Sequence, residues 1–341
     1  VRRHPRHRRA PRGEAVRLAD AAARNQTQAR AEATAFAPAS SANLGSGFDL
    51  LGHSLEGWHD LATVRRIDAA EVRIEAIEGV VTALPANAAD NTAGAALIAM
   101  RNALNLPFGF AVRLRKGIPL GSGLGGSAAS AVAAVVAANA LLDAPLPAEA
   151  LYPFALDGEA VASGSRHGDN IAPALLGGLV AAFHDDKLQS SATGRVEPAR
   201  LHAPDWLFTA VVHPAIVLET RVSRTALAQP FPIKDIVAQT HNLAALLLGL
   251  ERDDEALIRR GLHDALVEPR RAALIPGFAQ VKQAALAAGA LGSSISGAGP
   301  SVFGWFRGRA AAEAGGVAMQ RAFADAGHAA SILISPVAGP A

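Results

Sequence analysis

The residues best suited to chemistry lie in one short run, Pro119-Leu120-Gly121-Ser122-Gly123-Leu124-Gly125-Gly126-Ser127-Ala128-Ala129-Ser130. Glycines at this density expose consecutive backbone N–H groups. The run passes directly into SAASAVAAVVAANALL, a composition that favours a helix despite its β-branched valines. The first turn of a helix carries unpaired amides and the positive end of the macrodipole, so an anion such as phosphate fits there. The literal spacing satisfies two familiar motifs, and context rejects both. A Walker loop from Gly121 to Gly126 needs a lysine next, where this chain has Ser127. A dinucleotide fold needs a second strand after the helix, ending in an acid that holds the ribose. Here Asp143-Ala-Pro-Leu-Pro follows, which is a turn. By itself the run suits a tight strand-to-helix turn equally well.

It does not stand by itself. PASSANLGSGFDLLG at Pro38–Gly52, the glycine run and SGAGPS at Ser296–Ser301 follow one another along the chain. Together these stretches resemble the three motifs of the GHMP kinases. The resemblance spans most of the chain after the first 33 residues. It implies an α+β fold of two domains, an N-terminal one with a left-handed βαβ unit and a ferredoxin-like C-terminal one. Periodicity alone suggests the usual right-handed crossover.

Further stretches, HGDNIAPALLGG from His167, TRVSR at Thr220–Arg224 and EPRRAALIPGF at Glu268–Phe278, are similar to those of the GHMP kinases that phosphorylate homoserine. The implied activity is ATP-dependent phosphorylation of the side-chain hydroxyl of homoserine, a step of threonine biosynthesis, with ATP and Mg2+ as cofactors. The resemblance also hints at a homodimer. Two departures stand out: Gly126 replaces a frequent serine, and Arg270 replaces a frequent aromatic residue. Either Arg270 or Arg271 is therefore a candidate to face substrate, with Arg271 favoured.

Phosphoryl transfer needs charge neutralised on the phosphates, a metal bridging their oxygens and an aligned hydroxyl. The loop amides from Gly121 to Ala128, flanked by Pro119 and Leu120, suit the first need. Ser127 and Glu159 are the metal pair that the family pattern implies, in keeping with the one or two protein oxygens magnesium usually takes. Arginine suits a carboxylate through its planar fork, which makes Arg224 and Arg271 the expected clamp, with Thr220 nearby. Asp49 is expected at the substrate ammonium, with Asn43, His167 and Asn170 at its polar ends. Asn91 is carried over to the adenine side, where capping of the following helix is its competing role. Related kinases place an aspartate near the reacting hydroxyl; the matching position here is Asn170, so catalysis is expected mainly from alignment and electrostatics.

The elements that must hold these residues are partly legible. Ala62–Ile67, Val72–Ala76, Phe108–Lys116 and Trp206–Val212 read as strands. TAGAALIAMRNAL reads as a helix, with Asp90 as its expected N-cap. Leu151–Ser163 reads as another helix, ALLGGLVAAFH as a helix-to-strand passage, and residues 185–204 as a loop or hairpin. Residues from Ile233 to Ala288 read as largely helical, and Ser293–Gly299 as a glycine-rich loop between strands. The expected division is a basic extension over 1–33, an ATP-binding domain over 34–195 and a second domain over 196–341.

Composition bounds the alternatives. With 50% hydrophobic and 18% charged residues, the 341-residue chain has ample core for two domains. No apolar run reads as a membrane span. No cysteine is present, which removes disulfides and thiolate chemistry and is compatible with a cytoplasmic setting. The chain holds 32 basic and 30 acidic residues. Residues 1–33 carry nine arginines and three acids, which leaves 23 basic and 27 acidic residues elsewhere. The basicity thus belongs to that extension, expected to be solvated and disordered, and the net-acidic remainder argues against nucleic acid as a partner. The extension lacks the apolar segment of a secretory signal, and its initial valine reads as an artificial or upstream start. The alternatives are a mevalonate-type or sugar kinase of the same superfamily, or a non-catalytic binding protein on the same fold.

Overall fold

The computed structural model describes residues 31–183 and 198–339. The expected boundary between residues 195 and 196 lies outside them, as does most of the basic extension. The described residues include strand positions on the N-terminal side of residue 34. Glu32 and Ala33 already pair with Arg65 and Val64, and Glu32 meets the Arg113 guanidinium at 3.1 Å.

The first sheet is built from β1 (Glu32–Ala42), β2 (Leu51–Ile67), β3 (Val72–Gly79), β4 (Gly109–Lys116), β5 (Leu179–Ala181) and β6 (Ala199–Arg200). Its order is β3-β4-β2-β5-β6, with β1 also paired to β2. Between β3 and β4, which run parallel, lies helix α1 (Thr92–Ala103). Asn91 rather than Asp90 caps α1: its side chain accepts from the Ala93 and Gly94 amides, while Asp90 belongs to a short 3-10 turn. The seventeen-residue β2 changes partners along its length. Residues 61–67 pair with β4 and residues 51–53 with β5. The glycine run leaves β4 in the interval between these pairings.

Helix α2 (Gly126–Asn139) follows the run. Most of its side chains are buried alanines and valines, so its apolar surface is wider than one stripe and it sits inside the domain. Helices α3 (Tyr152–Ser163) and α4 (Ile171–Leu176) surround it, and Gly177 and Gly178 turn the chain into β5.

Residues 199–200 still pair with β5, whereas β7 (Leu207–Pro214) starts the second sheet, so the chain changes sheets between them. The elements after β7 are α5 (Thr220–Thr225), α6 (Ile233–Glu251), α7 (Glu255–Gly261), α8 (Glu268–Arg271) and α9 (Phe278–Ala287). They are followed by β8 (Gly292–Ile295), β9 (Val302–Arg307), α10 (Arg309–Asp325) and β10 (Ala330–Pro336). The four antiparallel strands are ordered β10-β7-β9-β8, the ferredoxin-like arrangement. Ser293–Ile295 is strand rather than loop, so the second glycine turn is confined to Ser296–Ser301.

The period-2 alternation of this sheet explains its two apolar faces. Leu207, Val211, Phe303 and Trp305 join the core of the first domain. Ala210, Val212, Val302 and Phe306 pack under α9 and α10 with Val281, Met319 and Phe323. One sheet thus fastens the second domain to the first, and the two glycine turns meet at that junction.

Candidate active site

A cavity of about 610 Å³ opens where the two domains meet. One wall is the glycine run. Its Gly123 and Gly125 adopt φ of +74° and +67°, which favour glycine, and the neighbours leave no room for a side chain. A Cβ on Gly123 would lie 2.5 Å from the Ser296 carbonyl oxygen; one on Gly125 would lie 2.3 Å from Ser40 Oγ and 2.8 Å from Asn170 Oδ1. Gly125 is the N-cap of α2, and the first amide to join the helical ladder is that of Ala129, bonded to the Gly125 carbonyl. The amides of Gly126, Ser127 and Ala128 are therefore the free donors of this helix start. The Ala128 side chain itself is fully buried in the core.

The second glycine turn braces the first. Ser296 Oγ donates to Ser41 Oγ at 2.9 Å or to the Gly123 carbonyl at 3.0 Å, and Ser301 Oγ donates to the Ser122 carbonyl at 2.6 Å. Two motifs about 170 residues apart thus form one rigid wall.

The opposite end of the cavity is charged. Arg224, on α5, directs Nη2 to Asp49 Oδ1 at 3.0 Å and Nη1 to Asp49 Oδ2 at 3.4 Å. His167 Nδ1 lies 3.5 Å from the same carboxylate. Arg271 is buried beside them, donating to the Ser223 carbonyl at 3.1 Å and the Gly297 carbonyl at 3.2 Å. Burial, with Arg224 adding repulsion, lowers its pKa to about 10, so it stays charged at neutral pH. The Phe48 ring sits under both guanidinium groups, 6.0 Å from Arg224 and 5.4 Å from Arg271.

Asn43 is committed to protein. It donates to the Gly297 carbonyl at 2.7 Å and accepts the Asp49 amide at 3.0 Å, fixing the turn that presents Asp49. Arg270 points away from the cavity: it stacks on Phe231 and donates to the Gln229 and Pro230 carbonyls. Of the two candidate arginines, Arg271 alone faces the site.

Two carboxylates lie between the ends. Burial pushes Glu159 up to about 7, against the pull of a hydrogen bond from Ser127. Asp169 is also raised to about 7, by burial and then by the Asp49 charge. Asn170 follows, accepting from Ser40 Oγ at 2.8 Å beside Gly125.

Comparison with known proteins places this arrangement. Residues 91–178 match the model of the GHMP kinases N terminal domain, and residues 245–325 match GHMP kinases C terminal. A homoserine kinase of Xanthomonas campestris pv. campestris is 57% identical over 310 residues, covering 91% of this chain and 93% of that protein. The chain belongs to the homoserine kinase family of GHMP kinases. A homoserine kinase of Xylella fastidiosa is 53% identical over 91% of this chain and 92% of that protein. The crystal structure of homoserine kinase from Cytophaga hutchinsonii superposes with a TM-score of 0.85 at 39% identity, covering 91% of this chain and 96% of that one.

As a member of the homoserine kinase family, the chain brings its expected site residues together. Asn43, Asp49, Asn91, Glu159, His167, Asn170, Thr220, Arg224 and Arg271 line one cavity with residues 119–127. Asn91 does so while holding the Pro85 carbonyl at 3.0 Å and capping α1, so its amide is occupied. Sequence reasoning missed Phe48 and a buried group beneath the glycine run, Asp60, Lys116 and Ser130. Lys116 was findable, because it follows Phe110, Val112 and Leu114 on the inward face of β4.

Proposed function

We propose that the chain transfers the γ-phosphoryl group of ATP to the side-chain hydroxyl of homoserine, with Mg2+. The observation that carries this reading is the Arg224–Asp49 pair, with Arg271 beside it, at one end of a cavity whose other end is a glycine-rich anion cradle. An α-amino acid carries a carboxylate and an ammonium on the same carbon, and these residues complement both. The names of the relatives agree.

The amides of the glycine run and of the α2 start bind and orient phosphate oxygens. Glu159 and Ser127 supply two hard oxygen donors on the cavity wall, a set that fits magnesium completed by phosphate oxygens and water. Among the described residues no group of three or more acidic, histidine or cysteine side chains could hold a metal without such help. When bound, the metal neutralises charge on the transferring phosphate. Arg224 and Arg271 hold the substrate carboxylate, Asp49 and His167 its ammonium side, and Asn170 the hydroxyl beside Gly125. Asn170 cannot take a proton, so alignment carries the rate and the hydroxyl proton leaves late or to phosphate.

ADP release with homoserine, 4-hydroxybutyrate and 3-aminopropan-1-ol tests this. The last two lack the ammonium and the carboxylate respectively, and each is expected to lose at least about a hundredfold in kcat/KM. Equal turnover of all three would contradict the assignment.

A further inference from the structure

The loop that cradles phosphate has no cation of its own, yet its two ends converge on a single buried carboxylate. Asp60, on β2, is fully buried, and its Oδ1 accepts the amides of Gly117 and Ile118 at 3.0 and 3.2 Å, where the chain enters the loop. Its Oδ2 pairs with Lys116 Nζ and accepts Ser130 Oγ at 2.8 Å. Lys116 then donates to the Gly126 carbonyl at 2.7 Å and to Ser130 Oγ at 2.7 Å, where the chain leaves the loop and starts α2. Three ammonium protons thus have three acceptors, a complete set for a lysine.

We infer that Asp60, with Lys116 and Ser130, is a clasp that ties the entry and exit of residues 117–126 together and thereby sets the affinity for ATP. The inference rests on the reading of that loop as the ATP site.

These are positioning residues, since Asp60 and Ser130 act through the backbone at 117, 118 and 126. The loop between the clasped ends contains three glycines at positive φ, Gly121, Gly123 and Gly125, so little in its own backbone holds a single shape. Cross-linking its ends removes that freedom before the phosphates arrive, which is where preorganisation raises affinity. The second glycine turn braces residues 122 and 123 only, and leaves the two ends to the clasp. Lys116 and Ser130 line the same cavity as Glu159, the acid assigned to the metal.

A buried ion pair leaves a charge stranded when one partner is removed, and replacing both partners can restore stability. That separates a positioning role from a purely structural one. In Lys116→Met and Asp60→Asn the melting temperature is expected to fall, and in Asp60→Asn/Lys116→Met most of it returns. The dissociation constant for MgATP, measured by calorimetry, is expected to stay about tenfold or more weaker in the double variant, with homoserine affinity within about twofold of wild type. Ser130→Ala, which leaves the charges paired, is expected to weaken MgATP about threefold or more with little change in melting temperature. A double variant that regains both stability and wild-type MgATP affinity overturns the clasp. If neither charge variant folds, wild-type MgATP affinity in Ser130→Ala overturns it. Wild-type protein that binds MgATP but does not turn over homoserine would refute the substrate assignment and leave the clasp standing.

Discussion

Arg224 and Asp49 face each other as a two-point pair, with Nη2 3.0 Å from Oδ1 and Nη1 3.4 Å from Oδ2. The residue assigned to the substrate carboxylate therefore neutralises the one assigned to its ammonium. A zwitterion offers the mirror image of this pair, so binding exchanges one set of charge contacts for another and strands neither charge.

Arg224→Ala and Asp49→Ala are each expected to raise KM for homoserine by about tenfold to a hundredfold, the loss of one charge-assisted contact. KM for ATP should change little. Steady-state kinetics with each substrate varied in turn checks this, and a rise confined to KM for ATP would contradict the assignment.

Gly125→Ala is expected to lower kcat/KM for ATP by about a hundredfold. The added Cβ would meet Ser40 Oγ at 2.3 Å and Asn170 Oδ1 at 2.8 Å at a φ of +67°. It disturbs the loop and the Asn170 amide together, so kcat falls along with affinity.

Glu159 must lose its proton to hold a metal, and burial raises its pKa to about 7. Apparent affinity for Mg2+ should therefore rise about tenfold from pH 6 to pH 8, the change in the ionised fraction. Titrating Mg2+ at constant ATP across this range measures it; Glu159→Gln should flatten the dependence and weaken it throughout.

Asp169 and His167 are expected to be dispensable for proton transfer. Asp169→Asn and His167→Ala should alter KM for homoserine more than kcat, within about tenfold for kcat. A fall in kcat of several orders of magnitude at unchanged KM in either variant would establish a general base and refute catalysis by alignment.

His53 bears on stability. It is fully buried beside Trp305, its Nδ1 bonds the Ser54 carbonyl at 3.0 Å, and burial lowers its pKa to about 4. The unfolded chain takes up this proton near pH 6.5 and the folded chain does not, so the contribution is intact above pH 6.5 and lost as pH falls toward 4. Glu159 and Asp169 oppose it in the same window, because their raised pKa values favour the folded state at lower pH. The comparison must therefore be between proteins: the melting temperature of His53→Leu minus that of wild type should be more positive at pH 5 than at pH 7, by a few degrees.

The chain order of glycine run, small-residue helix and second glycine turn was legible because each has a local composition that dictates backbone shape. The alternation in β4 and β7 was legible for the same reason. The Asp90 cap was misplaced by one residue because Asp and Asn are equally good caps, and only the 3-10 turn before α1 decides between them. The Asp60–Lys116 pair escaped because its members lie 56 residues apart and meet only through the antiparallel register of β2 and β4, one step beyond the Leu61–Arg115 rung. Phe48 escaped because a phenylalanine in a turn carries no chemical signature until two guanidinium groups are found above it.

If one cavity joins an ATP cradle to an α-amino acid site, it must discriminate among acceptor alcohols. Coupled ADP release with homoserine, mevalonate and galactose as rival acceptors measures that discrimination. Turnover with homoserine is expected at a kcat/KM at least about a hundredfold above the other two, consistent with a site built around a charged pair. No turnover with homoserine, or preference for mevalonate or galactose, would contradict it.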